Sequence, residues 1–230
     1  FERNGAGVWS FVQKIQASSI QTEADFGFDV AITEEGYIIA GAPDEDFGIS
    51  CTIFGFDNED KGAAYIYERN GSWPTTETQR VQALGPFCDD NFGEGVGIDG
   101  IFAMIGAPGR TKIIFEFPFA LTDAGAVYAF ERDLLFPDVW TQNGLNIIPT
   151  EVGADDEFGD HVDVYTGASG TRAIVGAPEA SFDGIEGAGE AYIIERDGTF
   201  PNWDTAAQLL RAPVEFQGTE FEFGSCVGIW

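Results

Sequence analysis

The chain of 230 residues has little basic charge, one histidine, one methionine and three cysteines. Each scarcity removes a class of function. Eleven lysines and arginines stand against 39 acids, and a formal net charge of −28 argues against nucleic acid or an anionic membrane as partner. Cations or basic surfaces suit that charge, as does plain solubility in a salty extracellular medium. A single histidine, His161, allows no paired-histidine metal site, and a lone histidine is more often packed or hydrogen-bonded than catalytic. Neither a Gly-x-Ser-x-Gly elbow nor a phosphate-binding glycine loop occurs. No apolar run approaches the ~18 residues of a membrane-spanning helix, and no stretch sustains a helical period.

What is abundant is repetition. Phe-Gly recurs at Phe26-Gly27, Phe92-Gly93, Phe158-Gly159 and Phe223-Gly224, at spacings of 66, 66 and 65 residues. Gly-Ala-Pro follows at residues 41, 106 and 176, and aromatic segments ending in Glu-Arg follow in turn: "GAAYIYER", "GAVYAFER" and "GEAYIIER". A bare "FER" opens the chain. Tryptophan comes after each Glu-Arg, at Trp9, Trp73, Trp140 and Trp203. A fixed period of this kind is the mark of a repeat architecture, each unit here holding four short segments.

The segments read as strands. "GYIIAGA", "IFAMIGA" and "TRAIVGA" are short apolar runs bounded by glycine and proline, which suits buried strands. Asn-Gly or Asp-Gly after three of the four Glu-Arg pairs supplies the positive φ of a tight hairpin. Four antiparallel strands per repeat belong to radial propellers, whose sheets bury their faces against their neighbours. The reading is an all-β propeller with a partial blade at 1–22, blades at 23–88, 89–154 and 155–219, and a partial blade at 220–230. About three and a half blades are present, and joining the two partial ones leaves a blade without its Gly-Ala-Pro strand. Three forms follow: a fragment of a larger propeller, an assembly closed by another chain, or an unusual closed form.

The order Phe-Gly, Gly-Ala-Pro, Gly-x-x-Tyr-x-x-Glu-Arg, Trp resembles the FG-GAP repeat of integrin α-subunit β-propellers and of many surface proteins. The resemblance implies an extracellular or cell-surface module for binding, adhesion or structure, with a protein or glycan ligand on one loop face and no chemistry of its own. The calcium loop of integrin blades does not carry over, since its places read "TEEGY", "IDGIF" and "TGASGTR".

Acids or amides stand one and three residues before each Phe-Gly: Glu23 and Asp25, Asp89 and Asn91, Asp155 and Glu157, Glu220 and Glu222. In extended chain that spacing puts both side chains on one side, and such oxygen clusters suit Ca²⁺. Solvated surface charge is the plainer alternative. Strand direction places these pairs on the same face as the long connections 44–61, 109–124 and 179–188. Cys51 and Cys88 emerge there on adjacent blades and are expected to form a disulfide, with Cys226 free and buried on an inner strand. "NGSW" makes Asn70 a glycosylation sequon on a hairpin of the opposite face. Two other functions stay open: a glycoside hydrolase using paired carboxylates, and an architectural subunit that polymerises.

Overall fold

The structure is a computed structural model and describes residues 1–19, 21–47, 60–114, 120–196, 203–204, 207–213 and 221–230. Every regular element among them is a strand. The first pair is β1 (Glu2–Arg3) and β2 (Trp9–Ser10), a small antiparallel hairpin. Three four-stranded antiparallel sheets follow. Blade 1 holds β3 (Val30–Ile32), β4 (Tyr37–Ala42), β5 (Ala63–Glu68) and β6 (Gln79–Val81). Blade 2 holds β7 (Val96–Asp99), β8 (Phe102–Ala107), β11 (Ala126–Arg132) and β12 (Trp140–Gln142). Between its second and third strands rises a hairpin of β9 (Lys112–Ile113) and β10 (Ala120–Leu121). Blade 3 holds β13 (Val162–Gly167), β14 (Gly170–Ala177), β15 (Glu190–Glu195) and β16 (Gln208–Leu210). The fold is a β-propeller of four-stranded antiparallel blades, three of them complete in this chain.

Period-two alternation along each buried strand sends successive side chains to opposite faces of the blade. In β4, Tyr37 and Ile39 face forward and pack with Ala103 and Ile105 of blade 2. In β8, Phe102 and Met104 do the same toward Ala173 and Val175 of blade 3. The core is therefore chiefly a series of layers between blades, and a third cluster of Ala42, Ala63, Tyr65 and Tyr67 lies on blade 1 with Ala17.

The Phe-Gly and Gly-Ala-Pro motifs join those layers. Within a blade the Phe-Gly glycine donates to the Gly-Ala-Pro glycine: Gly93 N–H to Gly106 O at 2.8 Å, Gly159 N–H to Gly176 O at 2.9 Å. Between blades the same dipeptide pairs with the residues just before the previous third strand, Phe92 N–H to Lys61 O at 3.3 Å and Phe158 N–H to Ala124 O at 3.1 Å. Contact is so close that a Cβ on Gly41 would overlap the carbonyl of Gly93, and one on Gly106 the carbonyl of Gly159. Glycine at these positions is a steric requirement. The phenylalanine ring meanwhile packs edge-on against the tyrosine of its own third strand: Phe26 on Tyr65, Phe92 on Tyr128, Phe158 on Tyr192. Full burial of Phe92 and Phe158 is worth roughly 2–3 kcal/mol each.

Each of those tyrosines is accompanied by a buried acid and an arginine, supplied from different places in each blade. Tyr65 donates to Glu45, which pairs with Arg80 at 2.7 Å. Tyr192 donates to Glu190 at 2.6 Å, and Arg211 pairs with Glu190 at 2.6 Å. In blade 2 the buried pair beside Tyr128 is Asp90 and Arg110 at 2.8 Å. An aromatic ring lies against each guanidinium: Phe47 on Arg80, Phe87 on Arg110, Phe182 on Arg211.

Glu-Arg and tryptophan work across the blade junction. Arg132 lies opposite Trp140 in the β11–β12 register, and both pack on Tyr37 of the previous blade. Arg196 and Trp203 sit likewise on Phe102. Glutamate of one repeat pairs with arginine of the next, Glu2 with Arg69 at 2.6 Å and Glu131 with Arg196 at 3.2 Å.

Two expectations need correction. Cys226 is exposed and free, in a segment that makes no strand pairing among the described residues and so is not covered as an inner strand would be. The acid pairs before Phe-Gly are not extended chain. Glu23, Asp25, Asp89, Asn91, Asp155, Glu157 and Glu222 all have positive φ, between 46° and 71°. Left-handed backbone is what turns the chain from one blade into the next, and Asp and Asn tolerate it better than other non-glycine residues. Glu220 lies outside the described residues.

Candidate functional site

The loop face carrying the Phe-Gly turns holds a cleft of about 190 Å³ at the top of blade 2, lined by Asp89, Asn91, Glu94, Gly109, Asp123 and Glu157. Its two walls are the junctions into and out of that blade. Asn91 N–H donates to Asp60 O at 3.0 Å and Glu157 N–H to Asp123 O at 3.0 Å, so these left-handed residues are fixed by backbone bonds to the segments that lead into the preceding third strands. Gly109 admits the turn, because a side chain there would strike the Asp89 carbonyl.

The acids lie close enough to raise one another's proton affinity. Burial, reinforced by Asp160, Glu157 and Asp44, pushes Glu94 up to about 7 from its ordinary 4.5. Burial also raises Asp89, with Asp60 and Asp123 adding to it, and raises Asp123, with Asp155 adding. Glu157 is raised by burial and then by Glu179, Asp160, Asp123 and Asp155. Asp44 is raised by burial and by Asp60 and Asp25, against a 3.5 Å hydrogen bond from Asn91 Nδ2. His161 sits beside this group with its Nδ1 2.7 Å from Asp160 Oδ2, a hydrogen bond that raises its affinity for a proton. The histidine is thus held by a carboxylate, as a lone histidine most often is.

Of the acids expected from spacing, Asp89, Asn91 and Glu157 share the cleft, and Asp155 flanks it through Asp123. Glu23 and Asp25 lie one junction away, Asp25 near Asp44. Sequence reasoning missed Glu94, Asp60 and Asp123. A signal existed for two of them, since Asp60 and Asp123 stand two residues before Gly62 and Gly125 at the same place in consecutive repeats. Oxygen donors of this kind match the chemistry of a hard cation. Among the described residues, however, no three His, Cys, Asp or Glu side chains stand together in an arrangement able to hold a metal ion.

Cys88, immediately before Asp89, is disulfide-bonded. Cys51 lies outside the described residues, as do 48–59 and 115–119 of the long connections. Asn70 is exposed on the β5–β6 hairpin, beside Gly71 with φ 76° and at the end of the blade away from the cleft. No helix among the described residues is long and apolar enough to cross a membrane.

The family model described as FG-GAP repeat matches residues 9–67, a span running from Trp9 through Tyr67. Residues 9–67 are an FG-GAP repeat. The same motif and the same bonds recur in blades 2 and 3 beyond the matched span. FG-GAP repeats typically form propeller modules without enzymatic activity. No curated protein matches the chain.

Proposed function

We propose that this FG-GAP propeller is an integrin-like extracellular or cell-surface binding module that takes a protein or glycan ligand on its acid-rich loop face. The observation that carries the reading is the cleft at the top of blade 2, where junction backbones bonded to the sheet hold four carboxylates and an amide on the loop side of a rigid scaffold. Binding functions concentrate where loops stand on such scaffolds. Calcium drawn to this acid-rich face would offset the crowded negative charge and offer the ligand a cation. FG-GAP repeats are usually found in extracellular proteins, and a glycan on Asn70 would leave the loop face open. The test is a glycan and extracellular-protein array probed with the chain in calcium and in chelator. We expect calcium-dependent binding that Asp89→Asn with Glu157→Gln abolishes while the melting curve stays cooperative. Absence of binding by the folded chain, or binding indifferent to that double substitution, overturns the reading.

A further inference from the structure

We infer that the loop between β11 and β12 docks the protein on a lipid surface of zwitterionic headgroups, its tip of Leu134, Leu135 and Phe136 entering the acyl region. The inference concerns the end of the blade opposite the acid-rich cleft and stands independently of the ligand-binding reading.

It starts from what blade 2 leaves uncovered. Blade 1 packs on one of its faces and blade 3 on the other, so its outer hairpin is not exposed for want of a neighbouring blade. In blade 1 three residues, Asn70, Gly71 and Ser72, join the arginine of Glu-Arg to the tryptophan, and in blade 2 seven do, residues 133–139. The extra length is apolar. Leu134, Leu135 and Phe136 are 73 %, 84 % and 65 % exposed, three consecutive large side chains in solvent. Single apolar residues are ordinary on a surface, whereas an exposed run of this kind marks an interaction site. Closing the hairpin does not require it, since Asn70 pairs across to Ser72 in the short turn of blade 1.

The loop holds that run out rigidly. Asp133 Oδ1 accepts from the N–H of Leu135 at 2.7 Å and from that of Phe136 at 3.0 Å, and Pro137 follows with no N–H to offer. Below the tip, Asp133 N–H donates to Val139 O at 2.8 Å and Val139 N–H to Phe136 O at 2.9 Å. Carrying the tip out of water therefore strips no donor of residues 135–137. Hydrocarbon sets that requirement on a backbone, and a wet protein interface does not.

The shoulders of the tip select the headgroup. Asp133 and Asp138 flank the apolar run, and beside Leu134 lies a hollow of about 420 Å³ lined by Glu131, Arg132, Asp133, Thr141 and Gln142. Carboxylates and a guanidinium in one hollow match a headgroup that carries an ammonium and a phosphate. An anionic surface is disfavoured by the net charge of −28. On phosphatidylcholine the outward ammonium meets the acids while the three side chains reach past it. The strand β11 runs from Ala126, near the cleft, to Arg132 at the hairpin, so a chain docked by this loop turns its acid-rich face away from the lipid.

Flotation of the 230-residue chain with phosphatidylcholine vesicles, in chelator and at low and high salt, tests this. The chain should float with them at both salt concentrations, and less with phosphatidylglycerol vesicles at low salt, where charge repulsion is unscreened. Leu134→Ser with Leu135→Ser and Phe136→Ser should lower the partition coefficient about 100-fold or more, and Leu135→Ser alone about 10-fold. Leu145→Ser, which removes a lone exposed side chain of the same blade, should leave it unchanged. Because all four side chains are exposed, folding should be untouched, which a melting curve verifies. A chain left behind by the phosphatidylcholine vesicles overturns the inference in favour of a protein groove as the cover of the tip. A triple variant that floats as the parent does, or equal flotation with both lipids at low salt, overturns it as well. Array binding by a chain that does not float would leave the loop-face reading standing while this one fails.

Discussion

The backbone of Gly93 lies directly against Cα of Gly41, so that a methyl group on Gly41 would occupy the space of the Gly93 carbonyl. The same relation joins Gly106 to Gly159 and Gly176 to Gly224. It explains why the two motifs travel together: one glycine is the seat, and the next repeat's glycine is what sits in it. Gly41→Ala should therefore separate blades 1 and 2 at their closest point and cost about 3 kcal/mol or more, since the obstructing atom is backbone with little room to shift. Gly71→Ala is the control. Its Cβ meets nothing within 4 Å, and only its φ of 76° opposes the change, at about 1 kcal/mol. Urea unfolding of the two variants should show that order.

Removing Glu190 should be among the costliest single changes. It leaves the buried Tyr192 hydroxyl without its acceptor and the Arg211 guanidinium, 37 % exposed and so able to turn to solvent, without its partner, a combined cost of about 2–3 kcal/mol. Tyr192→Phe, which deletes only the donor, should cost about 1 kcal/mol. Equilibrium unfolding of Glu190→Ala against Tyr192→Phe measures the difference, and equal losses would contradict the arrangement.

Stability should fall as pH rises across the range set by Glu94. Its carboxyl titrates near 4.5 in the unfolded chain and near 7 in the folded one. Between those values the folded state binds more protons than the unfolded state, so unfolding free energy declines with pH. His161 acts in the same direction above its ordinary 6.5, because its raised affinity is lost as it deprotonates. Glu94→Gln should flatten the decline by about 2 kcal/mol between pH 5 and pH 8. Denaturant melts at those pH values, without calcium, give the comparison.

Millimolar calcium should raise the melting temperature by binding the folded state alone, and most strongly above pH 7, where the cleft acids are ionised. Asp89→Asn or Asp155→Asn should shrink the rise, and magnesium should substitute poorly. A melting curve unchanged by calcium or chelator would leave these acids as surface charge.

Thiol chemistry should separate the cysteines. Cys226, exposed and free, should react with a maleimide in the native protein, whereas Cys88 should react only after reduction. Non-reducing peptide mapping should link the Cys88 peptide to that of Cys51. Reduction should cost about 2–4 kcal/mol of stability.

Much of this architecture is determined by the sequence alone. Strand alternation, Asn-Gly hairpins and the glycines of Phe-Gly and Gly-Ala-Pro are local constraints on backbone geometry, and local constraints repeat in the linear order of residues. The spacing of 66, 66 and 65 residues therefore declares the blades, and the Glu-Arg and tryptophan positions declare their outer hairpins. Tertiary structure decided what depends on neighbours distant in the chain. Glu45, Asp90 and Glu190 occupy unlike places in their repeats, yet each ends beside a buried tyrosine and an arginine, because the requirement is to neutralise a buried group and any segment that reaches it will serve. The acids before Phe-Gly read as extended chain until the turn between blades forces them into positive φ. Which of them share a cleft, and that Glu94 and Asp123 join them, follows from the angle at which one sheet packs on the next, a quantity that no single repeat contains.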